Sequence, residues 1–366
     1  YDIGLGIPAE PLFRSNPSPL FPGRYLILFG QFSKFIIFAV EMSATSHNAK
    51  IMKIAEMAIK IIIVLAGCWF IYDKIFDNQD ITEMWNSVKT SFSSPKNVML
   101  MVLAFVLMPV NMAFETRKWQ KSVKPVEAVP FRRAFIAIFT GITAGMMFPN
   151  RTGDFLGRIF ILEKGNRLKA AMLTFVGNIA QMLVTVSLGC VAWLFCTKEK
   201  YYWYVLILSL IIIVLGYLLY FNIHILRHLK RLIPMRWRPR TEKYMEIFGS
   251  YSKRDLAVIL LIALGKYIVY SFQFVLLIWA FDVPLNYFEA MIPIMLTYLL
   301  MTVIPFVTIT EIAVRGSVCI FVFEKWLSIK GISTSFSLMV ASASTMLWLY
   351  NLAIPAIIGL FYIRKL

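Results

Sequence analysis

The chain has 366 residues, 59% of them apolar and only 16% charged, with net charge +17 and mean hydropathy +0.71. Soluble domains carry about 45–50% apolar and about 25% charged residues. Here the apolar excess gathers into blocks of about 20 residues, the length that crosses a bilayer. A soluble enzyme with an ordinary core is excluded, as is a β-barrel, whose strands alternate apolar and polar residues over about 10 positions. The basic residues crowd into a few loops while the aromatics lie in the spans, so nucleic acid is not an expected partner. Basic loops of this kind orient a membrane protein and meet anionic headgroups. Cys68, Cys190, Cys196 and Cys319 show no CxxC or Cys/His spacing and read as small core residues, with no metal or cofactor expected.

In chain order, residues 1–41 hold five of the sixteen prolines and one weak apolar run, Tyr25–Val40, interrupted by Gln31 and Lys34. They read as a leader that is either non-native, with Met42 the true start, or an interfacial helix. Residues 42–366 form a single polytopic domain with halves at about 50–200 and 201–366. Six stretches are long enough to span: about 54–75, 97–115, 169–196, 201–223, 255–281 and 334–363. Two apolar regions, 134–148 and 288–304, instead run into prolines and are followed by the short helices 155–163 and 311–324.

Loop charge orders these segments. The 116–133 loop carries Arg117, Lys118, Lys121, Lys124, Arg132 and Arg133 against Glu127, and 224–254 carries nine Lys/Arg against Glu242 and Glu246. The positive-inside rule puts both in the cytoplasm and the acidic 73–96 loop outside, with N- and C-termini cytoplasmic. Arg158, Lys164, Arg167 and Lys169 follow the first proline region. A full crossing at 134–148 would strand them outside, so the spacing predicts a re-entrant hairpin there and a second one at 288–324. The expected fold class is therefore all-α: about six spans plus two re-entrant helical hairpins in an inverted-topology repeat, with broken helices at matching positions.

Chemistry concentrates at the two breaks. In the first, Pro149 ends a half-helix, Gly153 permits a turn, and Asp154 and Arg158 share a face at i,i+4. With Arg151 they form either a phosphate cradle or an ordinary capped loop with surface arginines. In the second, Pro305, Thr308 and Thr310 precede another i,i+4 pair, Glu311 and Arg315, inside an apolar stretch. It is either a functional charge pair or a structural salt bridge. Lys266 lies mid-span, too deep to snorkel, and faces a cavity or an acidic partner, whereas Lys60 snorkels. Asn178 with Gln181, and Ser342 with Thr345, read as interhelical hydrogen-bonding groups. His224 and His228 sit at a basic edge with no catalytic task.

The run Pro109-Val-Asn111-Met-Ala-Phe-Glu115-Thr-Arg117-Lys118-Trp119, the Pro149-Asn-Arg151-Thr-Gly153-Asp154 turn and the later Pro305 and Glu311–Ser317 segment occur in this order. Together they resemble the lysylphosphatidylglycerol synthase/flippase transmembrane family, the membrane region of the bacterial multiple peptide resistance factor and its stand-alone relatives. The resemblance covers nearly everything after about residue 50. It marks Asn111, Glu115, Arg117, Trp119, Pro149, Gly153 and Pro305 as structural motif positions, and Arg151, Asp154, Arg158, Glu311, Arg315 and Lys266 are the candidate lipid-binding residues. Asp154 stands where the family usually has Glu, and Val307–Thr310 lacks the glycines often found before the second Glu. The resemblance implies a flippase or lipid-binding protein of the bacterial cytoplasmic membrane. Its partners would be membrane lipids (anionic or aminoacylated phospholipid, or polyprenyl lipid), with homo-oligomers possible. No aminoacyl-transferring domain lies within the sequence to Leu366, so lysyl transfer is not expected. Two other readings stay open: a membrane-embedded transferase or partner subunit in glycolipid synthesis, and a small-solute or ion transporter.

Overall fold

A computed structural model of the chain describes residues 89–147, 152–159, 161–163, 166–223, 246–304, 311–332 and 336–363. The expectations for the 1–41 leader, the 54–75 span with Lys60, Pro149, Arg151, His224, His228 and the Pro305–Thr310 turn lie outside them. Among the described residues the structure is helical, with no strand.

Helix α1 is Pro95–Val123, α2 Phe131–Met147 and α3 Thr152–Ile159. Then come α4 Arg167–Cys196, α5 Glu199–Phe221 and a short 3₁₀ turn, Glu246–Ser250. The rest is α6 Lys253–Ala280, α7 Tyr287–Val303, α8 Glu311–Ile329, α9 Ser337–Trp348, a π turn Leu349–Ala353, and α10 Ile354–Ile363. Five helical stretches are long and apolar enough to cross a membrane: Pro95–Val123, Lys169–Cys196, Glu199–Phe221, Lys253–Ala280 and Ser337–Tyr362. They coincide with five of the six expected spans.

Local chemistry sets the helix starts. Pro95 occupies the first turn of α1, where its missing N–H costs nothing. Ser252 with Asp255 closes a capping box on α6, and Asn286 with Glu289 does the same on α7. One boundary differs from expectation. The loop expected from residue 116 does not begin there, because α1 continues to Val123. Met108, Met112, Glu115, Trp119 and Ser122 fall on one stripe at helical spacing, and all are buried. That stripe keeps the chain helical through the basic run.

Helices α1 and α6 form the central pair, flanked by α4, α7, α8 and α9 around one apolar core. A second core joins α1 and α2 to α10. In membranes, close backbone approach replaces hydrophobic driving force between helices. The α2–α3 pair shows this: a Cβ on Gly157 would lie 2.5 Å from the Thr140 carbonyl oxygen and 2.7 Å from Gly141 Cα. The Thr140 hydroxyl donates to the Gly157 carbonyl at 3.1 Å, and the Thr143 hydroxyl donates to the Ala356 carbonyl of α10 at 2.7 Å.

A buried amide ladder crosses the bundle. Asn111 Nδ2 donates to Asn351 Oδ1 (2.7 Å), Asn351 Nδ2 to Gln273 Oε1 (3.0 Å), and Gln273 Nε2 to the Ala104 carbonyl (2.7 Å). Asn351 lies in the π turn, whose widened backbone carries the side chain between α1 and α6. Replacing Asn351 with leucine strands the amides of Asn111 and Gln273 in an apolar interior. A loss of about 2 kcal/mol is expected, read as a lower thermal midpoint in detergent.

Candidate functional site

Among the described residues, five charged side chains meet where α1, α3 and α6 adjoin. Glu115 of α1 is the hub. Its Oε2 accepts from Lys266 Nζ at 2.6 Å and lies 2.7 Å from Lys118 Nζ, while its Oε1 accepts from Arg158 Nη1 at 2.9 Å. Arg158 in turn grips Asp154 with two bonds, Nε to Oδ1 at 2.9 Å and Nη2 to Oδ2 at 2.6 Å. Lys118 reaches Gln181 Oε1 on α4 at 3.4 Å. Among the described residues three cations thus face two carboxylates, one positive charge more than negative.

Burial of such a cluster is costly unless its members pair and bond fully. The side chains of Lys118, Arg158 and Glu115 are 3%, 5% and 7% exposed, so these three form the closed part. Lys266 and Asp154, at 23% and 22%, are the open edge. Those two are where a ligand can arrive, a cation on one side and a carboxylate on the other.

The second expected pair also forms. Arg315 Nη2 donates to Glu311 Oε1 at 2.7 Å, and Nη1 donates to the Tyr270 hydroxyl at 3.2 Å. Tyr270 and Lys266 are four residues apart on α6 and share a face. One stretch of α6 therefore touches the second acid–arginine pair directly, through Tyr270, and is linked to the first through Glu115, which Lys266 and Arg158 share.

The positions marked by resemblance divide. Glu115 belongs to the charge cluster, and Asn111 to the amide ladder one turn away. Trp119 is buried, its Nε1 donating to the Thr174 hydroxyl at 3.1 Å. Gly153 lies in the first turn of α3. Arg117 is exposed, stacks over the Phe131 ring at 4.8 Å and takes no part in the cluster. Its neighbour Lys118 does, although it stands in a basic run that reads as a loop. Of the paired polar groups on α4, Gln181 reaches the cluster through Lys118.

Nearby groups hold this frame. Glu127 accepts from the Glu163 backbone N–H and Asn166 Nδ2, both at 3.2 Å, tying the loop after α1 to the α3–α4 connection. The Tyr251 hydroxyl donates to the Ser122 carbonyl, and burial pushes that phenol's pKa up, so it stays a donor. Among the described residues no group of three His, Cys, Asp or Glu side chains could hold a metal.

No curated protein matches the chain. Residues 57–356 match the family described as the lysylphosphatidylglycerol synthase TM region, with the hub, both acid–arginine pairs and the amide ladder inside the matched span. A bundle of apolar helices whose interior is organised around ion pairs, matched over most of its length, makes this chain a multi-pass membrane protein belonging to the lysylphosphatidylglycerol synthase TM region family.

Proposed function

We propose that the protein is a lipid flippase or lipid transporter in which the charge cluster hosts a phosphate headgroup while the acyl or prenyl tails stay in the bilayer. The observation that carries this is the open edge of the cluster: Lys266 and Asp154 are partly exposed at the margin of a site with one uncompensated positive charge. A monoanionic phosphodiester would balance that charge, and Lys266 would contact it with a donor not used on Glu115. Ionisable groups inside a membrane domain mark substrate pathways. Arg158, with all three nitrogens bonded to carboxylates, serves to hold Glu115 and Asp154 in place.

On this reading α2–α3 and α7–α8 are re-entrant hairpins, one bringing its acid–arginine pair to Glu115 and the other to Tyr270 of α6. The end bearing exposed Lys121, Lys124, Arg132 and Arg133 faces the cytoplasm of a bacterial cell. Translocation of fluorescent phospholipid in reconstituted vesicles tests the function. Lys266→Gln is expected to slow it about tenfold, the effect of one lost charge-assisted bond. Wild-type rates equal to protein-free vesicles would refute the reading, as would a Lys266→Gln variant as fast as wild type.

A further inference from the structure

Lys118 is a buried cation that the ion pairing alone does not require. Arg158 has three nitrogens on carboxylates and Lys266 lies 2.6 Å from Glu115, so these two cations would balance Glu115 and Asp154. A third ammonium adds a desolvation cost without a carboxylate of its own. Yet Lys118 is the most enclosed member of the cluster, its side chain 3% exposed. Its Nζ lies 2.7 Å from Glu115 Oε2, the same oxygen that Lys266 holds, and 3.4 Å from Gln181 Oε1 on α4. Its stem passes Gly177 of α4, where a Cβ would lie 3.5 Å from Lys118 Cγ and 3.7 Å from Cε. Contacts from two helices therefore fix it in place.

The two ammoniums on that oxygen differ in what else they can do. Lys118 stands three residues from Glu115 on the same helix and also bonds Gln181. Lys266 comes from α6 with its side chain 23% exposed, and its hydrogen bond among the described residues is to Glu115. An ammonium has three donors, so Lys266 keeps two for a ligand. Charge divides the same way. With Lys118 matched to Glu115 and Arg158 to Asp154, the charge of Lys266 is the one in excess. Without Lys118, Lys266 becomes the counter-ion of Glu115. An arriving phosphodiester would then be a third anion against two cations, in a place where an unmatched charge is costly.

We infer that Lys118 is a positioning residue: as the fixed counter-ion of Glu115, it leaves the charge of Lys266 for an anionic phosphodiester. This rests on the proposed phosphate site at Lys266 and names what makes that site attractive to an anion. Lys118 does not touch the ligand and acts through Glu115.

Calorimetric binding of dihexanoyl phosphatidylglycerol, a monoanionic phosphodiester, to the purified full chain in detergent is the test. Lys118→Met keeps an unbranched stem against Gly177 and removes the charge, and it should weaken binding about tenfold or more. Adding Glu115→Gln removes the carboxylate that Lys266 would otherwise have to balance. The double variant should therefore return to within about threefold of wild type. Lys121→Met removes the same charge from an exposed position three residues along α1 and should bind as wild type does. Lys118→Met binding as tightly as wild type, or a double variant as weak as Lys118→Met, overturns the role of Lys118 while the phosphate site stands. An equal loss in Lys121→Met does the same, because net charge would then be the cause. Failure of wild type to bind overturns the phosphate site itself, and the role of Lys118 with it.

Discussion

Replacing Glu115 with glutamine is expected to destabilise the detergent-solubilised protein by about 3–5 kcal/mol, the usual cost of removing one partner from a buried ion pair. The size follows from the geometry rather than from any single bond. Glu115 is the carboxylate shared by Lys118, Arg158 and Lys266. Without its charge, Asp154, paired with Arg158, is the one carboxylate among the described residues left to three cations, two of them 3% and 5% exposed. The amide of glutamine keeps the volume and some bonding but supplies no counter-charge. Adding Lys118→Met to Glu115→Gln removes the most buried of the stranded cations and should restore part of the loss. The thermal midpoint of purified protein measures both. A single variant as stable as wild type, or a double variant less stable than the single, contradicts this account of the cluster.

The second large effect is expected at Gly157. A Cβ there would lie 2.5 Å from Thr140 O, 2.7 Å from Gly141 Cα and 2.7 Å from Thr140 C. All three are backbone atoms of α2, which cannot rotate away as a side chain would. Gly157→Ala must therefore push α3 from α2 and break the Thr140–Gly157 bond, at about 3 kcal/mol, the upper part of the range for overpacking. The same shift moves Asp154 and Arg158, one turn or less from Gly157, so lipid translocation should fall with stability. Gly249 is the control, because nothing lies within 4 Å of a Cβ built there. Gly249→Ala should leave the thermal midpoint where it was. If Gly157→Ala does the same, the two helices are not held by backbone contact.

How far these features can be read from the sequence depends on the kind of signal. Apolar blocks fix the spans, and i,i+4 spacing fixes Asp154 with Arg158 and Glu311 with Arg315, because both are local properties of a helix. Lys266 in mid-span demands an acid, but nothing local says which. Glu115 stands 151 positions away at the end of an apolar run, beside cations that read as a loop. The same run hides Lys118, since a window that counts Lys and Arg cannot tell a buried amine from an exposed one. A signal was present: Met108, Met112, Glu115, Trp119 and Ser122 continue one helical stripe past the apparent loop start. The tyrosine contact at Arg315 could not be read at all. Aromatics are common throughout the spans, and only the fold shows that Tyr270 meets the Arg315 guanidinium.

Helix α5 has a consequence of another sort. Its most apolar window is only 11% buried, and it carries Trp203 and Tyr204 at 69% and 75% exposure near one end. It leans on α4, where a Cβ on Gly216 would meet Leu183 Cδ1 at 2.7 Å. Its 23 residues measure about 34 Å against a hydrocarbon core of about 30 Å. Among the described residues little protein covers its outer face, and the Tyr220 hydroxyl ties its far end to the Leu256 carbonyl of α6. A helix longer than the hydrocarbon core and held in this way is expected to meet a change in acyl-chain length by a change of tilt.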